Sequence, residues 1–314
     1  EEDFDPPADP DNYIIPAKTT LDDEEYYVVA IQRNAFKNET RIKTLKLADS
    51  ETVLRLDMES LSNMPNVTSI TGDRPVKFNT IGGVVINDAS LKTLTLNIQG
   101  YFTYTETPIS GNAALTDVEL TCSRSSALGS NFLMNCGAVK NLTYHGSADI
   151  GNNSAMGHLS NLETVVIDNK GGYAAKINDS AFREMTALKS VEFTGAVSGI
   201  NYCAFYGDTA LESFKAGTYA GGSISIGDWA FGNDTALAEF TVGETPVNSV
   251  GGSAFQAVAL KKIYLKADNL TVNSYVFWGV SNLEELWFDG DVSEFKGQLI
   301  SQWDNQNSSV KRVI

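Results

Sequence analysis

The sequence predicts a repeat solenoid: short coils of chain stacked one on the next, with a long parallel β-sheet on one face and mostly short strands, turns and irregular loops elsewhere. Two observations carry this. A motif of the form I-x-x-x-A-F, then a Leu six residues on, then V-x-F, recurs about every two dozen residues. Its clearest copies are Ile177–Ala181–Phe182–Leu188–Val191–Phe193 and Ile226–Ala230–Phe231–Leu237–Phe240–Val242. The position of Phe182 can also be followed by spacing alone, through Phe36, Leu61, Val85, Ile109, Leu133, Met156, Phe182, Phe205, Phe231, Phe255 and Phe277. Self-similarity at such a period is the signature of coils that bury their apolar faces only against one another. Eleven coils are expected.

Residues 1–12 are acidic and proline-rich, which makes a solvated linker. Tyr13–Ile14–Ile15 and Tyr26–Tyr27–Val28–Val29 supply an N-terminal cap over residues 13–30, because a terminal coil would otherwise expose its apolar face. The solenoid follows over residues 31–290. Its V-x-F piece alternates as a strand does, so Val191 and Phe193 point inward and Glu192 outward. The same register makes Lys46, Thr71, Thr95, Glu119, Thr143, Val166, Glu192, Lys215, Thr241, Tyr264 and Trp287 the outward residues of successive strands. The Phe slot lies across the coil and stacks on its neighbours, and the Ala before it is small where backbone passes close by. Gly207–Asp208–Thr209 and Gly232–Asn233–Asp234–Thr235 are turn formers, with Asp as a turn cap. Departures are Leu61, Val85, Ile109, Leu133 and Met156 in the Phe slot, and Gly72 where an apolar residue should close a strand. Residues 291–314 leave the repeat, and Phe295, Leu299, Ile300, Trp303, Val310 and Val313 form a C-terminal cap. A parallel β-helix is the rival architecture; it would show two or three short strands per coil and no fixed Ala-Phe pair.

The formal charge is 23 − 39 = −16, with a pI near 4.5. That argues against nucleic acid and anionic membrane surfaces, both of which call for clustered Lys and Arg. No apolar run approaches a membrane span. Cys122, Cys136 and Cys203 cannot all pair; free buried thiols are expected, with a Cys122–Cys136 bridge as the alternative. His145 and His158 belong to no metal-ligand spacing. No nucleophile elbow, phosphate loop or dinucleotide fingerprint is present. The chain is therefore expected to have no catalytic residues, no cofactor and no metal, and not to be an enzyme.

Among the outward strand residues the last two differ from the rest. Tyr264 and Trp287 fall on adjacent strands, flanked by Lys262, Lys266, Glu285 and Asp289. Neighbouring aromatics beside charge suit a ligand-binding patch. Packing of Trp303 and the C-terminal cap over them is the competing expectation.

The A-F copies, their downstream Leu and V-x-F spacing, and Cys136 three residues after Leu133 resemble the BspA-type (Treponema-type) leucine-rich repeats, common in surface proteins of Bacteroides and related bacteria. The resemblance spans about Tyr26 to Gly290. It implies a curved right-handed leucine-rich-repeat array and an extracellular protein held at the outer membrane by a lipid-anchored segment preceding Glu1. It implies adhesion to host matrix or other cell-surface macromolecules, with glycan capture for a polysaccharide-uptake system as the second reading. The partner would be a bacterial or host protein, or a glycan.

Overall fold

A computed structural model describes residues 9–79, 82–169, 173–289 and 312–313. Pro10–Asn12 is the one helical element among them, a single 3-10 turn; the rest is strands of two to eleven residues and turns. The chain divides into two compact units, residues 1–126 with 131–146 and residues 127–130 with 147–314.

In the first unit, Tyr13–Ile15, Thr44–Leu47, Ser69–Phe78, Thr93–Ile98, Asp117–Cys122 and Asn141–His145 lie side by side in parallel. Leu45, Ile70, Leu94, Val118 and Leu142 are register partners and all buried, while Lys46, Thr71, Thr95, Glu119 and Thr143 face outward. Period-2 alternation has set the register, since a one-residue slip would expose every Leu. The aliphatic slot residues change the local structure. Leu61–Ser62, Val85–Ile86 and Ile109–Ser110 form their own three-stranded parallel ladder, as β-branched and aliphatic side chains suit a pleated surface.

Gly72 is explained by its neighbour. A Cβ there would lie 2.6 Å from the Leu47 Cβ, so Leu47 fills the space. Two residues on, the Arg74 side chain is buried. Its guanidinium donates to the carbonyls of Thr52 (2.9 Å), Pro16 (3.5 Å) and Val28, tying three otherwise separate turns together. Ahead of the coils, Lys18–Leu21 and Glu24–Tyr27 form an antiparallel hairpin that exposes Tyr26 and Tyr27.

In the second unit the strand row runs through Thr164–Asp168, Ser190–Ile200, Ser213–Gly217 and Glu239–Thr241. Lys262–Val272 pairs with Glu285–Asp289, and Arg312–Val313 pairs with the latter. The slot phenylalanines stack face to face. Phe182 and Phe205 lie 5.0 Å apart, Phe205 and Phe231 5.0 Å, Phe231 and Phe255 5.4 Å, and Phe255 and Phe277 5.6 Å, all within 9° of parallel. Phe214 and Phe240, from the strands, meet Phe231 edge-on. Each such ring removes enough apolar area to contribute roughly 1.5–3 kcal/mol. The small Ala is accounted for as well: the Phe182, Phe205 and Phe231 amides each donate to the Ala204, Ala230 and Ala254 carbonyls of the next coil, at 2.8 Å.

The motif's Ile has a role not foreseen. Ile150, Ile177, Ile200, Ile226, Val250 and Val272 are register partners in a second parallel strand row. Two strands per coil was the expectation for the rival architecture, yet here they coexist with the fixed Ala-Phe pair. Each coil of this unit with Phe in the slot then turns through two left-handed residues, one two positions before the slot and one two positions after it: Ser180 and Glu184, Cys203 and Gly207, Trp229 and Asn233, Ser253 and Ala257, and Tyr275 and Gly279.

The Asp of the turns bonds across coils, not within its own turn. Asp208 Oδ1 accepts from the Met185 amide (2.7 Å) and Asp234 Oδ1 from the Asp208 amide (2.9 Å). Asp88 Oδ1 does the same for Met64, and Asn112 Oδ1 for Asp88. Asn112 also donates from Nδ2 to the Val85 carbonyl (3.0 Å), whereas Oδ2 of Asp88, Asp208 and Asp234 is buried with no acceptor or donor opposite it. Burial pushes the Asp88 carboxyl up to about 7 and the Asp234 carboxyl up to about 9. Burial, then the Asp234 charge, raises Asp208 well above the usual carboxylate range. Keeping the proton spares each buried Oδ2 the cost of an unpartnered charge.

The three cysteines are free and buried, which settles the choice against a Cys122–Cys136 bridge. Of the expected C-terminal cap, Val313 pairs with Leu286; Phe295, Leu299, Ile300, Trp303 and Val310 lie outside the described residues, as do residues 1–8 of the linker.

Candidate surface-binding site

Tyr264 and Trp287 are register partners, one on each of two adjacent parallel strands, with Lys262 opposite Glu285 and Lys266 opposite Asp289. Odd-numbered residues of the first strand, Ile263 and Leu265, are buried beneath. The alternation that sends them inward turns Lys262, Tyr264 and Lys266 outward. Tyr264 is 39% exposed and Trp287 is half-buried. Together with Phe240, Lys262 and Ile263 they line an open hollow of 510 Å³.

The rings are held by the acids beside them. The Trp287 indole N–H donates to Glu285 (3.2 Å), and Glu285 also pairs with Lys262 (3.2 Å). The Tyr264 hydroxyl donates to Asp289 (3.2 Å). Desolvation, then this bond to Asp289, holds the Tyr264 phenol above its ordinary range, so it stays a neutral donor at physiological pH. Lys266 lines a second hollow of 570 Å³, with Thr218, Tyr219, Glu244 and Asn248. The register thus brings Lys262, Tyr264, Glu285, Trp287 and Asp289 into one patch and places Lys266 at the edge of another. Phe240, the floor of the first hollow, was not singled out by sequence, because its parity marks it only as core.

His145 pairs with Glu119 at 3.0 Å on the outward face of the first unit. Among the described residues no group of three or more His, Cys, Asp and Glu could hold a metal ion, and no helix is long and apolar enough to cross a membrane. A second set of aromatics stands at the coil corners, outside the strand alternation that marks Tyr264 and Trp287 in the sequence: Tyr206 packs on Trp229 and Tyr275 on Trp278.

The family model for the BspA type leucine rich repeat region matches residues 29–163, 110–212, 149–284 and 213–309. No curated protein matches the chain. Solved structures similar to it include a leucine-rich repeat protein from Bacteroides ovatus, 17% identical, covering 88% of this chain and 87% of that one with a TM-score of 0.37. Another is a leucine rich cell surface protein from Faecalibacterium prausnitzii, 18% identical, covering 88% and 68% with a TM-score of 0.35. A leucine-rich repeat protein from Eubacterium ventriosum is 12% identical, covering 80% of each chain with a TM-score of 0.34. With the family model spanning nearly every coil, and the repeat's Ile, Ala, Phe and V-x-F positions each given a place in the stack, the chain belongs to the BspA-type leucine-rich repeat family.

Proposed function

We propose that this protein is a non-enzymatic scaffold at the cell surface, held there by a segment preceding Glu1, and that it adheres to host-matrix or other cell-surface proteins through the outward face of its strands. The supporting observation is the Tyr264–Trp287 pair. Along the outward register it is the one place where two aromatics stand side by side over a hollow, inside a rim of Lys262, Glu285 and Asp289. An apolar centre with a charged rim is how protein interfaces concentrate affinity in a few residues.

Trp287→Ala is expected to weaken capture of immobilised matrix proteins at least tenfold while moving the melting temperature by no more than about 2 °C, and Tyr264→Ala to act in the same direction. A large loss of stability with capture retained would make Trp287 a core residue and sink the proposal. Glycan capture for a polysaccharide-uptake system is the second reading, favoured by the open ring of Tyr264. A saturable tryptophan-fluorescence response to oligosaccharides, abolished by Trp287→Ala, would put that reading first.

A further inference from the structure

At the coil corners of the second unit, away from the strand row, one position per coil directly follows the slot residue: Arg183, Tyr206, Gly232, Gln256 and Trp278. The Arg183 guanidinium sits over the Tyr206 ring, 5.3 Å from its centroid. The Tyr206 hydroxyl accepts from Asn233 Nδ2 at 2.9 Å. The Trp229 indole meets Tyr206 edge-to-face, with centroids 5.7 Å apart and planes at 72°. Trp229 reaches this spot from two residues before its slot, and it can do so because the next place in the line is Gly232. A Cβ on Gly232 would lie 2.9 Å from Trp229 Cε3 and 3.3 Å from the Tyr206 ring. Guanidinium, phenol and indole therefore form one unbroken line across three coils, and the glycine is the cradle that admits the third.

The backbone argues against a structural reason for Trp229. Its φ is +59°, and the equivalent residues Ser180, Cys203, Ser253 and Tyr275 are left-handed too, so the corner demands this conformation whatever residue stands there. Asn or Gly meets that demand with least strain, and a bulky aromatic meets it poorly. Nor does the core need the ring. Phe205 and Phe231 below it are fully buried in their own stack, and the coils with Ser180 and Ser253 close without an aromatic.

We propose that Arg183, Tyr206, Trp229 and Asn233 form a carbohydrate site that takes a neutral glycan, separate from the Tyr264–Trp287 patch and independent of the function proposed for it. A pyranose ring presents C–H groups on one face, which are drawn to the negative face of an aromatic ring, and hydroxyls around its edge. The line offers the matching order of groups: a half-exposed indole, a phenol hydroxyl, an amide and a guanidinium. Arg183 already pairs with Glu184 at 3.1 Å, and the chain carries a net charge of −16, so an acidic glycan would be repelled. Tyr275 and Trp278, packed at 6.5 Å two coils further on, are 59% and 45% exposed and lie where a longer glycan would pass.

The test uses the whole chain and a panel of neutral oligosaccharides built from glucose, mannose, xylose and N-acetylglucosamine, with polygalacturonate as the acidic control, read by tryptophan fluorescence and calorimetry. At least one neutral glycan should bind saturably and polygalacturonate should not. Trp229→Asn suits the left-handed corner, so it should hold or raise the melting temperature while weakening that glycan at least tenfold; Gly232→Ala, which displaces the indole, should weaken it as well. Trp287→Ala should leave it unchanged. No binding anywhere in the panel, binding that survives Trp229→Asn, or a Trp229→Asn chain that loses its folded transition would each overturn the proposal. So would loss of protein capture, without any glycan binding, in the Trp229 variant. Loss through Trp287 alone would move the glycan to the strand face instead.

Discussion

Replacing Asp234 by Asn should stabilise this protein, by an amount that grows with pH. The Asp234 carboxyl is buried, its Oδ1 accepts from the Asp208 amide and its Oδ2 has no partner, and burial lifts it to about 9 from an unfolded value of 3.8. Between those two values the folded chain holds a proton that the unfolded chain has released. Folding therefore weakens as pH rises from about 4, and the loss is complete above about 9. At about 1.4 kcal/mol per pH unit, the 3.2 units between 3.8 and pH 7 amount to about 4 kcal/mol. Asn keeps the acceptor for the Asp208 amide and carries no charge at any pH, in the folded or the unfolded chain. Urea unfolding of the parent and of Asp234→Asn at pH 5, 6.5 and 8 measures this. The stability difference should favour the variant at every pH and widen by about 4 kcal/mol between pH 5 and 8. A difference that stays flat, or a variant less stable at pH 8, would refute the protonated ladder.

The remaining predictions concern the core. Arg74→Met should cost about 3 kcal/mol in urea unfolding, because the carbonyls of Thr52, Pro16 and Val28 lose a shared buried donor; a cost below about 1 kcal/mol would mean water replaces the guanidinium. Phe231→Ala should cost about 4 kcal/mol, since its ring stacks on both Phe205 and Phe255, and an unchanged melting temperature would show the stack to be incidental. Burial lifts the Cys122 thiol to about 12 and the Cys136 thiol to about 11, so neither should react with a thiol reagent at pH 8 until denaturant is added. Rapid labelling of the native chain would contradict their placement.

Much of the architecture was legible because its signals are periodic. Val191 and Phe193 inward with Glu192 outward is a two-residue rule, and the Phe182-to-Phe277 stack follows from one spacing repeated. The same arithmetic brought Tyr264 beside Trp287. What escaped depends on contacts between coils that no local pattern displays. Asp208 and Asp234 look like turn formers, yet each serves an amide 23 to 26 residues back. The second strand row hides because pieces such as Ala175–Ile177 and Ile224–Ile226 are only three residues long. Arg74 reads as a surface charge beside Asp73, though its partners lie 22 to 58 residues away. Trp229 reads as a loop residue, and nothing nearby in sequence says that Gly232 clears a place for its ring or that Tyr206 waits on the preceding coil.

The stacking of coils in register underlies the strand face, the Phe column and the corner line alike, and a pair of engineered cysteines tests it most directly. Glu192 and Lys215 are outward register partners one coil apart, and Thr241 follows on the next. Strand spacing puts the first pair about 5 Å apart, within disulfide reach, and Glu192 and Thr241 about 10 Å apart, beyond it. The double variant Glu192→Cys with Lys215→Cys should close an intramolecular disulfide on mild oxidation, and Glu192→Cys with Thr241→Cys should not. Failure of the first pair to close, or closure of the second, would contradict the stack.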